Sequence, residues 1–268
     1  MTNEHDILKK LEQLENELRE TRRELNEAKR GEDYRQIMNA MAGHVHGYCS
    51  QTQERELERF WASERDDISL AHWDLAFCGR ESVYNYYVAK NERTKAAARE
   101  KLKKFYDVDI PENETAGYRV MDMLTSPYIE IAADRRTAKG VWMVYSFRFR
   151  LGPNGEDTAS VSLQRLAGEF VREHDGWKLW HCRDFGDISL DASLQPPFEP
   201  PVGQAPPPGP SYEQSLAMGC KTLGIEQPAR EFRAWNCVKD EPALPGKYDS
   251  WDDTDSYINV IMDGYTNW

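Results

Sequence analysis

Apolar residues at alternating spacings of four and three open the chain. Ile7, Leu11, Leu14, Leu18, Thr21, Leu25 and Ala28 fall on one seam of residues 4–30, and nearly every other position there is charged. That period is the heptad of a coiled coil, so the segment is expected to be a solvated helix that self-associates, packing along its own domain being the plainer alternative. Gly31 is expected to weaken the helix, after which Tyr34, Ile37, Met38 and Met41 resume helical spacing. Between 52 and 107 the pattern predicts helices around one short strand: a helix in "QERELERFWA", a strand in "ISLAHW", and a long helix starting at Gly79 in "GRESVYNYYVAKNERTKAAAREKLKKFYD". From 117 the period shortens to two. "YRVMDMLTSPYIEIAAD", "TAKGVWMVYSFRFRL", "DTASVSLQRLAGEFVREHDG" and "WKLWHCRDFGDISL" predict four long antiparallel strands, divided by turn chemistry such as "GPNGED" and "EHDG". Helices followed by antiparallel strands make an α+β domain.

Eight prolines between 196 and 210 exclude packed helix or sheet there and favour an extended spacer. The chain therefore divides into a coiled-coil helix over 1–31, an α+β domain over 32–194, a Pro-rich linker over 195–210 and a tail over 211–268. From 195 onward there are 11 acidic and 5 basic residues, together with Trp235, Trp251 and Trp268. So many aromatics are unusual for a disordered tail. It is expected to wrap over its own domain or a neighbouring subunit, with an outside partner as the alternative.

Charge and cysteine content narrow the function. With 34 Lys+Arg against 46 Asp+Glu, a net charge of -12 and a pI near 5.1, the chain lacks the basic footprint of a nucleic-acid binder. Neither an apolar run of membrane-spanning length nor a signal-peptide core is present, so no membrane association and a cytoplasmic location are expected. The five cysteines are widely spaced and form no CxxC pair, which reads as free thiols.

The order of a helix ending in tyrosine, then "ELERFWASERDDISL", "GRESVYNYYV", "TSPYIEIAADRRTAKGVW" and "GEFVREHDGWKLWHCRDF", resembles the SnoaL-like branch of the nuclear transport factor 2-like superfamily over about residues 32–190. The resemblance implies a cone: a strongly curved antiparallel sheet packed on N-terminal helices. Members include dehydratases, isomerases, cyclases and lyases acting on aromatic, steroid or polyketide-like molecules, alongside others that only bind ligands or proteins. One fold thus hosts many functions. The resemblance implies a cofactor-independent, dehydratase-like lyase for a small hydrophobic or aromatic substrate, with an isomerase or a non-catalytic binding or assembly protein as alternatives. It also implies a homo-oligomer, dimer or trimer, pairing through outer sheet faces where Trp180 is expected.

Eliminations need a base at carbon and an acid at the leaving group. On a helix His44, Tyr48 and Thr52 share one face, while His46 points about 200° away from His44. Where the family pattern often carries an aspartate after this tyrosine, the chain has Gln51, Thr52 and Gln53. In the last strand Trp177, Leu179, His181, Arg183 and Phe185 share a face by the period of two. Since this set holds the core tryptophan and aliphatic positions of the family, the resemblance implies that His181 and Arg183 lie on the concave side if no bulge intervenes. His181 is then the expected general base or acid, with Tyr48 and Arg183 polarising a substrate oxygen and Asp122 or His44 as the second proton-transfer partner. The bland alternatives are a satisfied core histidine at 181, an ion pair at 183 and an exposed edge carboxylate at 122. His72, Trp142 and Thr52 are expected to contact substrate, although a histidine beside Trp73 also reads as packing. No GxSxG, P-loop, GxGxxG or HExxH pattern is present, and the two histidines of "HVH" point apart on a helix, so no metal or cofactor is expected.

Overall fold

The structure, a computed structural model, describes residues 4–72, 75–112, 114–193, 220–222 and 242–258. The Pro-rich stretch, Trp235 and Trp268 lie outside the described residues. Helix α1 (Glu4–Cys49) runs unbroken through Gly31, because an added Cβ there would face open space and the glycine costs only its propensity. Its first half stands clear of the domain: Leu8, Leu11, Leu14, Leu18 and Leu25 are 51–59 % exposed. Its second half buries Asp33, Ile37, Ala40, Met41 and His44. Helix α2 (Gln53–Phe60) follows, then strands β1 (Ser69–His72) and β2 (Leu75–Cys78). The long helix expected from Gly79 is α3 (Arg80–Tyr84), a π-helical turn at Asn85–Ala89, and α4 (Lys90–Tyr106). Then come β3 (Tyr118–Ile131), β4 (Thr137–Leu151), β5 (Asp157–Glu173), β6 (Gly176–Ser193) and β7 (Cys220–Thr222).

The α+β cone implied by the sequence is the architecture found, with two differences in its sheet. The order is β3-β4-β5-β6-β1-β2-β7, and β1 pairs parallel to β6, so the sheet is mixed. The β2 strand, "LAFC", closes a hairpin with β1 that its short apolar run did not announce. Three register shifts bend the long strands. One lies between Thr125 and Tyr128, where Ser126 takes a positive φ of 50° before Pro127 on the edge strand. A second sets Trp180 as an extra residue in β6, since Glu169 pairs with His181 and Phe170 with Leu179, and a third does the same for Asp187, since Gln164 pairs with Gly186 and Leu163 with Ile188. Bulges of this kind kink and twist a strand, which curves the sheet around the helices.

The helices fill the narrow part of the concave side. Ile37, Met41, Trp61, Phe77, Trp142 and Phe170 are fully buried there. The convex side is covered in part by residues 242–258. The Ala133 amide donates to the Tyr248 carbonyl and Asp134 to that of Asp249, each at 3.0 Å, and Trp251 packs 4.8 Å from Trp180. Trp180, expected to be available for subunit pairing, is instead buried beneath this segment and donates to Asp67 at 2.9 Å.

Asp33 ties α1 to the sheet. It accepts from Trp177 Nε1 at 3.1 Å and Arg135 Nε at 2.6 Å, and Arg172 lies 3.2 Å away. Burial alone would raise this carboxyl, but the bonds from Arg135 and Trp177 outweigh it and hold the group below the usual carboxylate range. Both arginines keep some solvent contact, so we expect Asp33→Asn to cost about 2–3 kcal/mol in urea unfolding. The stabilisation is present above the ordinary carboxylate pKa of about 4 and lost as pH falls through the depressed one. The wild type should therefore lose more stability than the variant on acidification below about pH 4.

Candidate active site

Two glycines in "GHVHGYC" set the geometry of the helical layer. A Cβ on Gly43 would fall 2.4 Å from the Phe60 ring, and one on Gly47 would fall 2.3 Å from Glu56 Cβ. At this i, i+4 notch α2 crosses α1 closely enough to deliver Glu56 to His44, Nδ1 to Oε1 at 2.9 Å. The Trp61 indole donates to the same oxygen at 2.7 Å, and the Tyr87 hydroxyl lies 3.3 Å from His44 Nδ1. Burial opposes the charged imidazole, but Glu56, with Cys182, outweighs it and lifts the His44 pKa to about 10. Both side chains are buried in the core, and the raised pKa favours an imidazolium held by the Glu56 carboxylate over a group that exchanges its proton with a substrate. His44 therefore leaves the candidate catalytic set. Thr52, expected as a substrate contact on the same face, does not share it: α1 ends at Cys49 and Thr52 is exposed at the start of α2. His46 is exposed, as its angle from His44 predicts.

The bulge at Trp180 reverses the parity expected for β6. His181 and Arg183 lie on the convex face, beneath residues 242–258, and not in the cone. His181 Nδ1 is 2.6 Å from Glu169 Oε2, and Arg183 donates to the Tyr257 carbonyl at 2.6 Å. The partners of β6 confirm the inversion: Cys182 and Asp184 pair with Gly168 and Leu166 and face inward. Trp142 faces inward as well and is fully buried against Phe170, its ring 6.0 Å away.

At the open end another constellation assembles. β1 pairs His72 beside Asp184, and His72 Nδ1 reaches its carboxylate at 2.8 Å. With its side-chain amide turned so that nitrogen faces Asp184, Gln164 donates to both carboxylate oxygens at 3.2 Å. From β3 and β4, Asp122 and Ser146 face the same interior and are hydrogen bonded to each other. Burial raises the Asp122 carboxyl, against Ser146 and Arg148, which favour its charge. Arg148, two residues along β4, is held protonated by Tyr48, Asp122, Tyr118 and Asp184 against the effect of burial. Burial raises the Tyr48 phenol well above its usual value, and its ring stacks on Tyr87 with centroids 6.1 Å apart. The π-helical turn leads into Lys90, whose ammonium sits 4.3 Å over the Tyr86 ring. Burial, then Arg148 and Arg93, bring Lys90 down to about 8. Interruptions of this type recur at functional sites.

Of the expected residues, Tyr48, Asp122 and His72 thus lie at the cone's mouth. Asp184, Arg148, Gln164 and Lys90 join them without having been expected. Unbroken alternation would put Asp184 on the outer face, and Arg148 sits in a run, "FRFRL", whose alternation gives its face but not its neighbours. A cleft of about 450 Å³ opens at the rim beside Cys49, Gln51, Tyr118 and Arg150. None of Tyr48, His72, Asp122, Arg148 and Asp184 lines it. No group of His, Cys, Asp and Glu suited to holding a metal ion occurs among the described residues.

No protein-family model and no curated protein matches the chain. Solved structures similar to it include hexachlorocyclohexane dehydrochlorinase LinA-type3 from Novosphingobium barchaimii, at 14% identity and TM-score 0.40, covering 67% of this chain and 97% of that one. A candidate scytalone dehydratase from Novosphingobium aromaticivorans has 13% identity, TM-score 0.41, and coverage of 65% and 95%. A candidate dehydratase of the NTF2-like family from Streptomyces avermitilis has 17% identity, TM-score 0.43, and coverage of 59% and 99%. At these values the likenesses add nothing of their own to the cone seen in the chain's elements and pairing, and they assign no activity. Among the described residues no helix is long and apolar enough to cross a membrane.

Proposed function

We propose that the chain is a dehydratase-like lyase that carries out an elimination by acid/base chemistry on a small hydrophobic or aromatic molecule at the cone's mouth. The observation that supports this reading is the His72–Asp184 pair on the concave face, Nδ1 to carboxylate at 2.8 Å, in the same cluster as Arg148. With Nδ1 held by Asp184, the tautomer protonated on Nδ1 makes Nε2 the basic nitrogen, and the carboxylate stabilises the imidazolium that forms. His72 Nε2 would take a proton from carbon, the C–H electron pair would become the new C=C bond, and the leaving group would depart with the other electron pair. Arg148 would stabilise its developing charge, and Tyr48, a weak acid in this setting, would donate a hydrogen bond to it.

The test is a spectrophotometric assay of the full chain against a panel of hydroaromatic alcohols and halides, in which elimination extends conjugation and raises ultraviolet absorbance. His72→Ala and Asp184→Asn should each lower kcat/KM by about 10²–10³-fold, while His46→Ala leaves it unchanged. Undiminished turnover in a folded His72→Ala protein would sink the assignment. A second reading has its own support, since Trp61, Trp142 and Phe170 fill the narrow end of the cone. On that reading the domain is a non-catalytic scaffold, and no panel compound is turned over.

A further inference from the structure

The exposed half of α1 carries a partner specification in its charges. With Leu11, Leu18 and Leu25 at position a and Ile7, Leu14, Thr21 and Ala28 at d, the g positions include Lys10, Glu17 and Glu24 and the e positions Glu15, Arg22 and Lys29. We propose that this segment forms a parallel, in-register, two-stranded coiled coil with a second copy of the chain. In that arrangement each g residue faces the e residue five positions on in its partner helix. Lys10 would meet Glu15, Glu17 would meet Arg22, and Glu24 would meet Lys29, so every contact joins opposite charges. An antiparallel pair sets g against g, which brings glutamates together around Glu17.

Three further observations agree. The seam leucines Leu11, Leu14, Leu18 and Leu25 are 51–59 % exposed, which leaves apolar surface uncovered by the chain's own domain. The intrahelical salt bridges of this segment, Arg23 with Glu20 at 2.5 Å and with Glu27 at 3.7 Å, lie at the outward c and f positions. None among the described residues uses Lys10, Glu15, Glu17, Arg22, Glu24 or Lys29. Finally, of the positions that continue the seam beyond Gly31, Glu32, Arg35, Asn39 and His46 are exposed and Ala42 is half-buried, whereas Asp33, Ile37, Ala40 and Met41 are buried against the domain. The domain therefore packs on the side of α1 away from the seam. Two copies can join along the helix with their domains outermost and without collision.

Light scattering on the full chain at about 10 μM should give twice the 31.1 kDa chain mass. Leu18→Glu with Leu25→Glu should give a folded monomer, since both positions are exposed in the single chain. Glu17→Lys with Glu24→Lys should weaken the dimer by on the order of a hundredfold, and adding Arg22→Glu with Lys29→Glu should restore it. Thr21→Cys should form an intermolecular disulfide at that position, which requires the two Cα atoms to lie about 6 Å apart and so a parallel register. Four results would each overturn the proposal: a monomeric or trimeric wild type, a dimer that survives the seam substitutions, failure of the compensating charges, or no cross-linking of the Thr21→Cys chain beyond the wild-type background. Survival of the dimer would move the contact to another face, such as the exposed Met121, Met123, Met143 and Tyr145 of the sheet.

Discussion

Glu56→Ala is expected to lower the free energy of unfolding by about 3–5 kcal/mol, the largest single-site loss in the helical layer. The carboxylate is 2 % exposed and satisfies two buried donors through one oxygen, His44 Nδ1 at 2.9 Å and Trp61 Nε1 at 2.7 Å. Its removal leaves an imidazole and an indole N–H in a core of Ile37, Met41 and Tyr87, where neither finds water. The same pair makes stability depend on pH in a defined direction. Folding raises His44 from an ordinary value of about 6.5 to about 10, so its stabilisation is complete below the lower value and is lost as pH climbs to the upper. Urea unfolding of the wild type should weaken between about pH 7 and 10, and the Glu56→Ala chain should lack that part of the slope. Equal slopes in the two proteins would show that His44 is neutral and the ion pair does not exist. Glu56→Gln gives a second measure: it keeps the volume and an acceptor but removes the charge, so it should abolish the slope with a smaller loss of stability.

That network shows where reading the sequence stopped short. The i, i+4 face shared by His44 and Tyr48 was legible, because helical geometry fixes it. Whether the face meets solvent, substrate or another helix depends on Gly43 and Gly47, which admit α2 and so send His44 into the core while Tyr48 reaches the mouth. The four long strands were equally legible from their period of two. One extra residue at Trp180 then carried His181 and Arg183 to the opposite side and turned Asp184 inward. Nothing local to "WKLWHCRDF" announces a bulge, since it is produced by the pairing of β6 with β5 on one side and β1 on the other. Asp122 escaped this fate because the irregularity in its strand begins only after Thr125. The histidine and carboxylate that do meet on the concave face, His72 and Asp184, stand on two strands more than a hundred residues apart in the chain.

The residues sought in the cone and found outside it support the other large effect. Glu169→Ala should release residues 242–258 from the convex face. Glu169 is 1 % exposed, and it holds His181 at 2.6 Å, the Ser256 hydroxyl at 2.8 Å and the Tyr257 amide at 2.5 Å. Around it the Lys139 ammonium donates to Thr254 at 3.2 Å and to the Asp255 carbonyl, and lies 4.2 Å over the Tyr257 ring. Burial lowers the Lys139 pKa, so the ammonium depends on Glu169 and Asp255 to stay charged there. Without Glu169 three donors lose their acceptor and a buried cation loses one of the two carboxylates that favour its charge, a cost of about 3–5 kcal/mol. Because the contacts fall on one segment, local release should precede global unfolding. Limited proteolysis of the variant should cut within 242–258 under conditions that leave the wild type intact, and Trp251 fluorescence should shift toward that of a solvated indole as its packing on Trp180 is lost. Glu169→Gln, which retains an acceptor for Tyr257 but not the charge facing Lys139, should fall between the two. If the alanine variant resists cleavage as the wild type does, the aromatic contacts of Tyr248 and Trp251 hold the segment by themselves, and the charged cluster beneath it is dispensable.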